Sequence, residues 1–443
     1  MNERLQRLKA LLARQVLPPL PAGMKRRIKA ALRWSLLVLF ILGIVTWTVL
    51  NWVGSRNLEA TLSTLRESSY ATRLEELAPP PVPLDENAAP YYSAAFALFA
   101  KPAPRAAQRA FEQVTKAGLV GLSTDHEAEL RAWLGRNHDA FELVARARTR
   151  PHCRFDRKYE GYATRFPEIG NIPWLTGALA VHAQLLTKDG RPQEARDSVS
   201  DILRLADSIA DEPSIICQMI RLAVIGSALT TINRCVAGDT DAELLRQWSA
   251  MLPREGSLEG SMERPLRAEL ATMAESLPLS SYELWDWDGQ RREENLGRLI
   301  LTWLSNPIQR LDGAQSLSLL RRAAELSRKP YAESQSEHSA LLEEVLEKSV
   351  LLHPITRLVL PGLSGLTMAQ AYYQAQIAVT RSGLAWELEF MTKGRYPERV
   401  EALDPFSGKP LSYNAEEGRL YSTGSPYRPN TGEDRTWLLR HKR

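Results

Sequence analysis

The chain has 443 residues, 44% hydrophobic and 24% charged, with a formal net charge of +4, a length that holds one large core or two medium ones. Nine basic residues from Arg4 to Arg33 stand against Glu3 alone, so residues 1–33 carry +8 and residues 34–443 carry −4. A nucleic-acid-binding domain needs a basic stripe, which the second part lacks, and three cysteines are too few for a disulfide framework.

Within the basic segment 1–33, Leu5, Leu8, Leu11, Leu12 and Val16 recur at helical spacing. The pattern fits either an amphipathic helix lying on anionic lipid or a solvated tail. Residues 34–53, WSLLVLFILGIVTWTVLNWV, are twenty positions without a charge. At a rise of 1.5 Å per residue they span about 30 Å, the thickness of a bilayer's hydrocarbon core, which predicts a single transmembrane helix. Arg26, Arg27 and Arg33 flank one side, whereas Arg56, Arg66 and Arg73 are matched by Glu59, Glu67, Glu75 and Glu76 on the other. Positive charge stays inside, so the expected topology is N-terminus cytoplasmic and C-terminal domain periplasmic in a bacterial inner membrane. Trp34, Trp47 and Trp52 suit the headgroup interfaces. No small-residue cleavage site follows directly, so the run reads as an uncleaved anchor.

Leu58, Leu62, Leu65, Leu74 and Leu77 continue the helical period, which predicts a stalk. Pro79, Pro80, Pro81 and Pro83 then predict an extended spacer, so that 54–87 is stalk and linker. From 88 to 364 the pattern is an α-helical ectodomain, and 365–443 is a long helix with a β tail. Helices are predicted over 88–100, 105–118, 125–149, 173–188, 191–211, 214–237, 241–252, 258–277, 292–305, 308–328, 336–352 and 365–393. Cys217 and Cys235 share one of these, about 27 Å apart and too far to bridge; buried thiols are expected, the alternative being a disulfide involving Cys153.

The pair 173–188 and 191–211 meets at Asp189-Gly190-Arg191-Pro192. Leu179, Ala183 and Leu186 face Ala195, Val199, Ile202 and Leu203, with the small Ala183 and Ala195 where helices would cross. This hairpin resembles a tetratricopeptide repeat over some forty residues, with no second copy at the family's period. It implies a helical bundle or solenoid, and a generic αα-hairpin fits equally.

Tyr159, Tyr162, Phe166 and Trp174, interleaved with Arg154, Arg157, Lys158 and Arg165, form the most aromatic and basic stretch of the ectodomain. Such a stretch either lines a groove for an acidic peptide or glycan or packs its rings on neighbouring helices. His126-Glu127 begins like a zinc-protease helix, but Leu130 stands where the second His belongs. Asp286 and Asp288 open like a calcium loop that Gln290, Arg291 and Arg292 do not continue. Gly408-Lys409-Pro410 and Gly362 to Gly365 lack the residues of a phosphate loop. No catalytic residue, metal site or cofactor is indicated.

After Gly394 turn formers separate short apolar pairs, and 411–413 and 419–422 predict two strands around Asn414 to Gly418. Gly394, Tyr396, Pro397, Asp404, Pro405, Gly408, Pro410, Tyr413, Tyr421, Ser422 and Gly424 spell G-x-Y-P, D-P-x-x-G-x-P and Y-S-x-G. That order resembles the C-terminal region of type II secretion pseudopilins. The chain as a whole resembles large membrane-anchored proteins of planctomycete-type bacteria, through Cys153-Arg154-Phe155, the pair at 173–212 and Asp404 to Leu411. It departs from pseudopilins in having no acidic residue at the start of the apolar run and about three hundred residues between anchor and tail. Asn430, Glu433 and Asp434 are few for a calcium ion, which wants six to eight oxygens. The expected function is a membrane-anchored scaffold or interaction protein that contacts the lipid bilayer and an envelope protein partner, with no nucleic acid. The alternatives are an envelope hydrolase with dispersed carboxylates and a pseudopilin-related secretion component.

Overall fold

The computed structural model describes residues 22–101, 105–236, 241–254, 256–277, 296–425, 428–429 and 436–439. The segment 5–16, the Asp286–Asp288 turn and the loop with Asn430, Glu433 and Asp434 lie outside them. Among the described residues the fold is mainly α, with a small antiparallel sheet at its C-terminal end.

Helix α1 (Ala22–Glu67) contains the apolar run and continues past it unbroken. Among the described residues two helices are long and apolar enough to cross a bilayer, and burial separates them. The second, Ile215–Val236, is 56% buried over its apolar window, whereas that of α1 is 0% buried.

The stretch read as stalk and spacer is part of the body. Leu58 and Leu65 are buried in the main core and Leu62 packs on it. The proline segment has no ladder of its own, so the body supplies its donors. Arg154 Nε donates to Pro79 O at 2.9 Å and Arg264 Nη2 to Leu77 O at 2.8 Å. Asn87 accepts from Arg154 N and donates to Arg154 O, both at 2.9 Å. The Cys-Arg-Phe element is thereby the strip to which the linker is sewn.

The body follows as α2 (Ala89–Leu98), α3 (Arg105–Ala117), α4 (Thr124–Arg136), α5 (His138–Arg148), α6 (Ile172–Lys188), α7 (Pro192–Asp207), α8 (Ile215–Val236), α9 (Ala242–Met251), α10 (Glu263–Ser276), α11 (Leu296–Leu326), α12 (Tyr331–Leu346) and α13 (Pro354–Lys393). The helix expected over 125–149 is two, because buried Asn137 turns its amide to the chain at Ala100, accepting from its N–H at 2.8 Å and donating to its carbonyl at 3.1 Å. Conversely, the two helices predicted over 292–305 and 308–328 are joined, among the described residues, in the single helix Leu296–Leu326, which runs through Pro307. Proline leaves the carbonyl four residues earlier without its donor, and that carbonyl, Trp303 O, accepts from Trp47 Nε1 at 3.2 Å. The long C-terminal helix starts at Pro354, eleven residues before the predicted 365; the sequence of its first turns reads as punctuated because Pro361, Gly362 and Gly365 interrupt it.

Hairpin α6–α7 closes as expected, with Gly190 at φ 73° and Ala183 and Ala195 fully buried at the crossing. Helix α8 lies behind it in the main core and crosses α13 at Gly226, where a Cβ would sit 2.5 Å from the Tyr373 ring. All three cysteines are unpaired; burial pushes the Cys217 thiol up to about 12 and that of Cys235 to about 11.

Gly394 ends α13 at φ 71°, and the tail folds back on that helix. Strands β1 (Ser412–Asn414) and β2 (Arg419–Tyr421) form the predicted hairpin, with Tyr413 opposite Leu420. Two further strands, β3 (Gly424–Ser425) and β4 (Arg428–Pro429), pair with each other. The last, β5 (Thr436–Leu438), completes a three-stranded sheet in the order β1-β2-β5. Trp437 of β5 lies flat on α13 at Gly383, where a Cβ would come 2.2 Å from the indole.

Candidate functional site

A groove of about 490 Å³ runs between α5 and the α6–α7 hairpin. Helix α7 puts Glu194, Asp197, Ser198 and Asp201 along one side at helical spacing, and His182 reaches in from α6. At one end Arg148 of α5 lies 3.3 Å from Asp201 and 4.0 Å from Asp197. Burial pushes the Asp201 carboxyl up to about 7, against the pull of Arg148 and with help from the neighbouring Asp197. Asp201 Oδ1 is buried without a hydrogen bond, since Arg148 is near but not aligned to donate.

In the middle, His182 stacks on Phe141 with ring centres 5.5 Å apart, and its Nδ1 is 3.2 Å from Ser198 Oγ. Ser198 Oγ donates 3.1 Å back to Glu194 O within its own helix. A hydroxyl has one proton, so in this arrangement Ser198 accepts from the imidazole and is not activated by it. Burial, with the charge of Arg191, lowers the His182 pKa. At the far end Arg131 grips Asp189 with two bonds of 2.7 Å and Glu127 at 2.9 Å; the arginine bonds hold Asp189 below the usual carboxylate range. The groove thus offers charges of both signs, an aromatic shelf and one unsatisfied acceptor. Its polar side chains come from segments fifty residues apart, which sequence patterning does not bring together; the one local signal is Asp201, a carboxylate beside the apolar positions Val199 and Ile202.

The five residues singled out as a partner-binding stretch do not share one surface. Tyr159 is buried and donates to Glu212 Oε2 at 3.0 Å. Tyr162 reaches Glu269 at 3.3 Å on α10. Trp174 stacks on Phe111 at 5.7 Å in a satellite core with Trp133. Phe166 carries the Arg157 guanidinium 4.6 Å from its ring centre, and exposed Arg165 borders a second cleft of about 430 Å³ with Phe96, Phe155 and Asn171. Packing on neighbouring elements accounts for most of this stretch. Its centre is Arg157, 6% exposed, which binds Glu168 at 2.5 Å and Glu212 at 3.1 Å. Burial raises the Glu212 pKa even with that arginine beside it. The trio fastens the 153–171 strip to the end of the α7 turn.

The tail motif is likewise structural. Asp404 is buried, and its carboxylate accepts from Phe406 N and Ser422 Oγ at 3.0 Å and from Thr423 N and Oγ1 at 2.9 Å. It ties the D-P-x-x-G-x-P turn to the Y-S-x-G strand. Within the turn, Gly408 at φ 66° returns its N–H to Asp404 O at 2.8 Å, and Leu403 bridges to Pro410. Pro405 and Pro397 are half-buried beside it. Tyr396 donates to Glu387 at 3.2 Å, Tyr421 lies under Arg419 at 5.0 Å, and Gly424 at φ 75° opens β3.

Of the residues expected to flank a membrane anchor, Arg26, Arg27 and Arg33 are exposed and Trp34 is 67% exposed. Trp52 is exposed beneath Arg56, 5.0 Å from its ring centre. Trp47 stacks on Trp303 with centres 4.1 Å apart. No group of three His, Cys, Asp or Glu suited to a metal occurs among the described residues. Comparison with family models, curated proteins and solved structures finds no match to this chain.

Proposed function

We propose that this chain is a single-pass membrane protein of the bacterial envelope, N-terminus cytoplasmic and body periplasmic, whose helical body binds a partner protein along the α5–α7 groove. The membrane part rests on an apolar helix whose window is wholly unburied, and on the +8 of residues 1–33. The binding part rests on one observation, the mixed-charge groove of about 490 Å³ in which Glu194, Asp197 and Arg191 are each about half exposed. An extended partner segment of matching polarity would pair with these charges. The α6–α7 pair then acts as a tetratricopeptide-like hairpin presenting a concave face. Photocrosslinking from Glu142 in native membranes tests the reading. A single protein adduct that is lost in Arg148→Glu supports it, and an adduct pattern unchanged by that substitution overturns it.

The convergence of Asp197 and raised Asp201 at Arg148 favours a second reading, an envelope hydrolase. In that case the purified protein hydrolyses peptidoglycan fragments and Asp201→Asn abolishes turnover. The pseudopilin-like tail is, in the first reading, shared local architecture; co-purification with a secretion ATPase complex would instead place the chain in that apparatus.

A further inference from the structure

The apolar surface of this molecule continues beyond the anchor helix. Helix α11 runs alongside α1 in the same direction, since Trp303 meets Trp47, Pro307 O lies 3.2 Å from where a Cβ on Gly54 would be, and Arg310 donates to Ser55. Trp47 stands six residues before Val53, about 9 Å inside the outer end of the apolar run. Trp303 therefore lies at that depth, below the level at which the run ends. At this contact Ile300, Trp303 and Leu304 are 48 to 50% exposed, and at a similar depth on α1 Val49, Leu50 and Trp52 are 41 to 59% exposed. The one backbone acceptor that Pro307 frees in this stretch is covered by the Trp47 indole. Covering a freed carbonyl matters most where no water is present to do it.

A second apolar group lies at the same end of the body. Asp312, five residues beyond Pro307, accepts from Ile355 N at 2.6 Å and Thr356 N at 3.2 Å, which fixes the start of α13 beside this part of α11. Helix α13 then runs with α11, because Leu360 and Thr367 share a cavity with Ala323. The connection that precedes α13 is thus on the anchor side of the body. It carries Val350, Leu351 and Leu352, exposed by 60, 84 and 60%, with Leu346 and Leu358 exposed on either side.

We infer that these two groups, Ile300 with Trp303 and Leu304, and Val350–Leu352, insert into the outer leaflet of the bilayer that α1 crosses, so that the body is seated on the membrane instead of held away from it. The inference rests on the reading of α1 as a membrane anchor. Its occupant is lipid, because the first group stands at the depth of the apolar run of α1 and the second, just before α13, lies on the same side of the body near the level at which that run ends. An apolar group at this depth exchanges water for acyl chains.

The test uses the full chain in phosphatidylethanolamine–phosphatidylglycerol vesicles with brominated acyl chains, and an environment-sensitive fluorophore on one introduced cysteine at a time. The native thiols are buried or half-buried and raised by burial, which keeps them slow to label. Val38→Cys reports the anchor, Ile300→Cys and Leu351→Cys the seat, and Val120→Cys, 85% exposed on the α3–α4 connection, the background. The expected result is a loss of fluorescence at Val38, Ile300 and Leu351 and none at Val120. Loss at Val38 alone overturns the seat and leaves the anchor reading standing, whereas no loss at Val38 overturns the anchor reading itself. Energy transfer between labelled copies at Leu351, without bromine quenching, assigns the patch to a second copy and overturns the lipid inference.

Discussion

Arg157 shows how a charge is kept inside this body. Its guanidinium serves two buried carboxylates and lies over two phenyl rings, so each member of the trio is desolvated only because the others are present. Arg157→Ala leaves Glu168 and Glu212 buried without a counter-charge and is expected to cost about 3–5 kcal/mol, read as a lower denaturant midpoint. Replacing the three together by Met, Gln and Gln should recover most of that loss. Asp201 behaves in the opposite sense. Its carboxyl moves from an ordinary 3.8 to about 7 on folding, so between those values the folded chain holds a proton that the unfolded chain has released. Stability from this group is unpenalised below about pH 4, falls as pH rises towards 7, and stays reduced above it. Asp201→Asn should therefore raise the melting temperature at about pH 8, by a gain on the order of 2–4 kcal/mol, and change it little at about pH 3.5.

Elements meet in this fold where a glycine or proline makes room or frees a group. The sheet reaches α13 only because Gly383 has no Cβ under Trp437, so Gly383→Ala is expected to lift β5 from the helix. Proteolysis of the tail should accelerate while helical circular dichroism of the body is unchanged. The α1–α11 pair depends in the same way on Gly54 and on the exchange between Pro307 and Trp47. Trp47→Phe keeps the ring and removes the donor, leaving Trp303 O unpaired at a cost of about 1–3 kcal/mol. The pair Trp47→Phe with Pro307→Ala restores the helical donor and should regain part of that loss, which thermal melting in detergent would read. Element types were legible locally: the twenty-residue apolar run, the Gly394 cap and the β1–β2 hairpin follow from periodicity and turn chemistry. Element boundaries were less so, since Asn137 breaks a helix through a partner at Ala100 and Pro307 fails to break one through a partner at Trp47.

At the scale of the whole molecule, charge and hydropathy along the chain set the proposed membrane topology. Alkaline phosphatase fused after residue 443 should be active and the same enzyme fused before residue 1 inactive; the reverse pattern would overturn the N-inside orientation. Sequence by itself determined the helical class, the apolar run and the tail motif, because each depends on neighbours within a turn or two of the chain. Only the tertiary structure decided that the presumed stalk is part of the core, that Tyr159, Tyr162, Phe166 and Trp174 go to separate places, and that His182, Arg148 and Asp201 share a groove. It also decided that Trp303 stands beside Trp47 across 256 residues of sequence. A periodic pattern states which face of a helix is apolar; which other face covers it is settled by packing between distant segments, and that information is carried by no single stretch of the chain.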